Sequence, residues 1–117
     1  MPTLRWFLLF VVVTAFASPA AYAERVVLFL GDSLTAGLVV EPEEAYPRVL
    51  DKMLKDEGIT GFRLVNGGIS GSTSASALSR LQWYDRIRPS VLFLALGAND
   101  GLRGLTIEEM RRNLSTV

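Results

Sequence analysis

Apolar and polar positions alternate along this chain in blocks that switch period, and the blocks alone predict three strands and three helices. Val26 to Leu30 is a β-branched and aromatic run that breaks at Gly31, so it reads as a buried parallel strand. The stretch Val26 to Gly37 then passes from strand into a turn bearing Ser33 and Thr35, with a helix start expected there. Leu38 to Glu44 is a loop. Tyr46, Val49, Leu50, Met53 and Leu54 recur at helical spacing, with Pro47 suited to the first turn, Gly58 to the stop, and Asp51, Lys52, Lys55 and Asp56 facing water.

Phe62 to Val65 reads as a second strand that enters the loop Asn66 to Thr73, where glycines supply backbone freedom. Thr73 or Ser74 is expected to cap a helix over about Ser76 to Ile87, with Leu78, Leu81, Tyr84 and Ile87 on one side. Pro89 ends it by restricting Arg88. Val91 to Leu96 is apolar throughout and reads as a central strand covered on both faces. The loop Gly97 to Gly101 follows it. Thr106 with Glu109 three residues on predicts a capping box, and a third helix that runs on to Val117.

The order β-α-β-α-β-α requires a parallel sheet with right-handed crossovers. All three glycine-rich loops then lie on one rim, at the carboxyl ends of the strands, where open α/β sheets bind their ligands. With the strand order 2-1-3, Ser33 and Asn99 face each other across the switch-point crevice. An apolar third strand at the edge of so thin a sheet suggests further strands beyond it.

Composition narrows the picture. Arg5, the apolar run from Trp6 to Ala17 and the small-residue site Ala21-Tyr22-Ala23 have the layout of a secretory signal peptide over residues 1–23, cleaved after Ala23. The run is short for a bilayer span, which needs about 20 residues; an uncleaved amphipathic or membrane anchor is the alternative reading of this segment. A periplasmic or secreted protein with no stable membrane anchor after cleavage is expected. The 117 residues contain no cysteine, so packing rather than disulfides must stabilise residues 24–117. Twelve basic against twelve acidic residues leave no field to attract nucleic acid. Without histidine or cysteine, and with scattered carboxylates, no metal or other cofactor is implied.

The three rim loops carry Gly31-Asp32-Ser33-Leu34, then Ile69-Ser70-Gly71-Ser72-Thr73, then Gly97-Ala98-Asn99-Asp100. Together, in this order and each after a predicted strand, they resemble the GDSL, or SGNH, hydrolases, in particular the secreted arylesterase, thioesterase and lysophospholipase branch. Ala45-Tyr46-Pro47 and Asn99 to Gly104 are also similar to that branch. The resemblance implies a three-layer α/β/α flavodoxin-like parallel sheet, here lacking its C-terminal part, and a small acyl ester or thioester as substrate. It implies that Ser33 is the nucleophile, and that the backbone N–H groups of Ser33 and Gly71 with the side-chain amide of Asn99 are the oxyanion-hole donors. Acyl transfer needs such preorganised donors, because negative charge develops on the carbonyl oxygen. Asp32 is expected to support the turn, and Asp100 to be structural. Residue by residue other readings stay open: Ser33 as a helix N-cap, Asn99 as a turn residue, the glycines as turn punctuation. Thr35 distinguishes the motif from the Gly-x-Ser-x-Gly elbow of α/β-hydrolases.

One part of the family's pattern is missing. A serine hydrolase needs a base, which the family takes from an Asp-x-x-His block near the C-terminus, and these 117 residues contain no histidine. The expectation is an N-terminal fragment of a longer hydrolase, nearly inactive as it stands. Two other classes compete: a non-catalytic secreted remnant or acyl-binding protein, and a flavodoxin-like cofactor module in which Ser33, Thr35 and Gly37 cradle a phosphate. Asn113-Leu114-Ser115 matches a glycosylation acceptor by chance.

Overall fold

The computed structural model describes residues 23–117, so the secretory leader read from residues 1–23 lies, save Ala23, outside the described residues. Three strands, β1 (Arg25–Gly31), β2 (Phe62–Asn66) and β3 (Val91–Ala95), form one parallel sheet in the order β2-β1-β3. Among the described residues five α-helices accompany them: α1 (Ser33–Ala36), α2 (Tyr46–Asp56), α3 (Ala77–Tyr84), α4 (Ala98–Leu102) and α5 (Ile107–Leu114). This is the doubly wound α/β arrangement expected from the sequence, with helices on both faces.

The period of two along β1 assigns its side chains to two layers. Leu28 and Leu30 are fully buried and form the core with Ala77 of α3, and Val65, Leu81, Tyr84, Leu92, Leu94, Leu114 and Val117 pack around them. α3 and α5 therefore cover one face. On the other face Phe29 meets Phe93 and Tyr46 in an aromatic trio with ring centroids 5.2 to 6.0 Å apart.

Tertiary structure alters several local expectations. β3 is not a strand covered on both faces: it is the edge of the sheet, and Val91 and Phe93 are each about half exposed. The apolar stripe of α2 is half open too, with Val49 at 41% and Met53 at 58% exposure, while Tyr46 at its start meets Phe29 and Phe93 of the sheet. Its polar side is laced by the pairs Lys52–Asp56 and Lys55–Asp51, as its charge pattern implies. The buried stripe of α3 runs through Ala77, Leu81 and Tyr84, leaving Leu78 turned outward, because spacings of four and three select that line. The helix tightens into a 3₁₀ turn at Asp85–Ile87, and Arg88 before Pro89 takes a left-handed conformation at φ 48°. α5 ends at Leu114, capped by Ser115, rather than running to Val117.

Candidate active site

β1 delivers its last residue, Gly31, into a turn of unusual tightness. A Cβ at Gly31 would lie 1.9 Å from Thr35 Oγ1, so no other residue fits there without displacing α1. Thr35 is itself fully buried, with its hydroxyl 2.9 Å from that of Tyr46. Asp32, 5% exposed, is the N-cap of α1, and its carboxylate accepts from the Leu34 N–H at 3.0 Å. This fills the turn-supporting role expected of Asp32 and excludes the cap reading of Ser33, which stands at the first helical position, half-buried. Among the described residues nothing in the turn consumes the Ser33 side chain: the bonds that build the turn come from Asp32, Thr35 and the backbone.

The second loop is fastened to this turn. Ile69 N–H donates to the Gly31 carbonyl at 3.1 Å, and Asn66 Nδ2 donates to the Thr35 carbonyl at 2.8 Å while its Oδ1 accepts from Gly68 N–H. Arg80 Nη2, reaching up from α3, donates to the carbonyls of both Gly31, at 2.9 Å, and Gly67. Gly71 then takes φ +78°, a left-handed conformation that favours glycine.

The third loop is not irregular as the sequence suggested. Gly97, at φ +130°, opens the short helix α4, which places Asn99 and Asp100 in its first turn. Register sets Gly31 beside Ala95, so Ser33 and Asn99 leave from the ends of adjacent strands. Asn99 Nδ2 donates to the Ser72 carbonyl at 2.9 Å, leaving one amide hydrogen of two uncommitted. Arg103 Nη2 donates to the Gly71 carbonyl at 2.8 Å. Asp100, 1% exposed, accepts from Ser74 N–H at 2.9 Å and from the Ser74 hydroxyl, which accepts in turn from Asn113 of α5 at 3.0 Å. This network explains why Ser74 does not cap α3 with its side chain, which is committed to Asp100; Thr73 instead precedes the 3₁₀ turn Ser74–Ser76 that leads into the helix, and makes no side-chain cap bond.

The structure thus ties the loops bearing Ser33, Gly71 and Asn99 into one hydrogen-bonded frame on the rim of the sheet. Sequence reasoning missed the residues that do the tying: Asn66, Ser74, Arg80 and Arg103. Arg80 alone left a trace, since it falls three residues after Ala77 and four before Tyr84, on the buried face of α3.

Residues 29–117 match the model of the GDSL-like Lipase/Acylhydrolase family. The chain belongs to this family. Among its relatives are an arylesterase of Vibrio mimicus, 40% identical over 101 residues, which cover 86% of this chain and 50% of the relative. Thioesterase 1/protease 1/lysophospholipase L1 of Escherichia coli K12 is 34% identical over 114 residues, covering 97% of this chain and 52% of that one. Among solved structures the SGNH-hydrolase family esterase AlinE4 superposes with a TM-score of 0.71 at 41% identity, covering 79% of this chain and 50% of that one. The fold is accordingly that of the SGNH hydrolases. This GDSL-family chain spans about half the length of the curated relatives it matches.

Proposed function

We propose that the protein hydrolyses a carboxylic ester or thioester through an acyl intermediate on Ser33. The observation that carries the reading is the shared frame: Ser33, Gly71 and Asn99 stand on three loops that hydrogen bonds lock together at the carboxyl ends of parallel strands. Ser33 Oγ attacks the carbonyl carbon, and the Ser33 and Gly71 backbone N–H groups with the free Asn99 amide hydrogen receive the oxygen as it turns anionic. Donors that are already fixed need no reorganisation at the transition state, and each is worth about 100- to 1,000-fold in rate. The alcohol or thiol leaves with a proton, and water then releases the acid from Ser33.

The proton taken from Ser33 has no imidazole among these 117 residues to receive it. Residues 24–117 are, on this reading, the N-terminal part of a hydrolase domain, with residues 1–23 as its export leader and the periplasm or exterior as its location. The half-exposed Val91 and Phe93 on the edge of β3 support a larger domain. Among the described residues no helix is long and apolar enough to cross a membrane.

Hydrolysis of p-nitrophenyl acetate tests the reading when imidazole is added as an external base. The chain alone is expected to turn over near background, and imidazole to raise its rate above that of Ser33→Ala under the same conditions. Equal imidazole dependence in the two proteins overturns the assignment of Ser33.

A further inference from the structure

Arg80 is placed where a stability role accounts for it poorly. It projects from the buried face of α3, close to Ile69, Trp83 and Tyr84, yet among the described residues only Nη2 has partners, and Nε and Nη1 are buried without any. Burying a guanidinium with unused donors costs solvation that a hydrophobic residue of similar size would avoid. What the arrangement supplies instead is geometry. A single nitrogen bridges the carbonyl of Gly31, the residue before the Asp32-Ser33 turn, and the carbonyl of Gly67, four residues before Gly71.

We propose that Arg80 is a positioning residue for the oxyanion hole: by bridging the Gly31 and Gly67 carbonyls it fixes the Ser33 N–H relative to the Gly71 N–H. The bridge closes a ring that also includes the Ile69 N–H bond to Gly31, so the two loops cannot slide past each other without breaking three bonds. Burial lowers the pKa of Arg80 from its ordinary value, with Tyr84 and the Asp32 carboxylate acting in the opposite sense. The side chain stays cationic at any working pH. Its charge therefore adds to the hold on both carbonyls, since hydrogen bonds from a charged donor are stronger than neutral ones.

This inference rests on the proposed role of Ser33, and its test separates the two. An arylboronic acid forms a bond from boron to a serine Oγ, the hydroxyl proton passes to buffer, and boron becomes a tetrahedral anion held by oxyanion donors; ¹¹B NMR reads the adduct directly. The full chain is expected to form it and Ser33→Ala to lose it. Arg80→Met, which keeps the apolar stem but no donor, is expected to bind the boronate about tenfold or more weakly, as misplaced donors do. Arg80→Lys restores a charged donor able to bridge two carbonyls, and is expected to recover affinity to within about threefold of the wild type. Thermal midpoints of all variants are recorded alongside. Arg80→Met binding as tightly as the wild type overturns the positioning role, as does loss of affinity in both variants in step with thermal stability. Absence of a Ser33 adduct in the wild type overturns the reading of Ser33 itself, and the positioning role with it.

Discussion

Replacing Asp100 with Ala removes the acceptor that joins α4, the loop before α3 and, through Ser74, α5. Both partners on Ser74 would remain in a site whose members are about 1% exposed, so its N–H and hydroxyl would be buried with nothing to receive them. Each stranded buried donor costs about 1–3 kcal/mol, so Asp100→Ala should destabilise the fold by about 4 kcal/mol. Even a complete domain is stable by only about 5–15 kcal/mol, so a loss of this size should bring the variant close to the edge of folding. Asp100→Asn keeps one acceptor but turns an NH₂ toward a donor, for a loss of about 2–3 kcal/mol. Ser74→Ala leaves the Asn113 amide and one Asp100 oxygen short of partners, for about 1–2 kcal/mol.

Urea unfolding followed by far-UV circular dichroism measures these losses. With a slope of about 2 kcal/mol per molar urea, Asp100→Ala should lower the midpoint by about 2 M. The double variant should be less destabilised than the sum of the singles by at least about 1 kcal/mol, because the two residues share one interaction. A loss under about 1 kcal/mol for Asp100→Ala, or strict additivity with Ser74→Ala, would refute the network as the anchor of the Asn99 helix.

Other outcomes follow from single positions. Gly31→Ala places its Cβ against Thr35 Oγ1 and should destabilise by about 3 kcal/mol or more in the same urea assay; a loss under about 1 kcal/mol contradicts the tight turn. Val39 holds φ +63° although β-branched and 95% exposed, so Val39→Gly should raise stability by about 1 kcal/mol, read as a higher thermal midpoint. The capping box of α5 lowers the Glu109 pKa through the Thr106 backbone N–H and then its hydroxyl. Its contribution is therefore complete above the ordinary glutamate value of 4.5 and fades as pH falls through the depressed one. Thr106→Ala should cost about 1 kcal/mol at pH 7, and the gap in thermal midpoint from wild type should narrow at pH 3.

Much of this was legible because it is local. Short apolar and β-branched runs gave three strands, Gly-rich punctuation gave three loops, and Thr106 with Glu109 gave a cap that forms as written. Topology rules require a parallel sheet, which by itself brings the Ser33, Gly71 and Asn99 loops to one rim, whereas the order β2-β1-β3 is one of several those rules allow and is fixed by the structure. The long-range bonds were not legible. Ser74 could have capped α3, and only the approach of Asp100, 26 residues later, decides otherwise. Arg80 reads as one more charge on a short amphipathic helix until β1 and β2 bring two carbonyls within its reach. The apolar run of β3 reads as a strand covered on both faces, yet nothing in the run itself specifies a neighbour on its outer side. The family resemblance implied the donor residues; it did not imply what holds them in place.

The central claim is that Ser33 accepts an acyl group in a site prepared by Gly71 and Asn99. Incubating the full chain with p-nitrophenyl acetate, then locating the acetyl group by peptide mass spectrometry, tests it most directly. Slow acetylation confined to the peptide bearing Ser33, reduced about 100-fold in Asn99→Ala, is the predicted result. Acetyl groups spread over lysines with Ser33 unmodified, or labelling of Ser33 unchanged by Asn99→Ala, would contradict it.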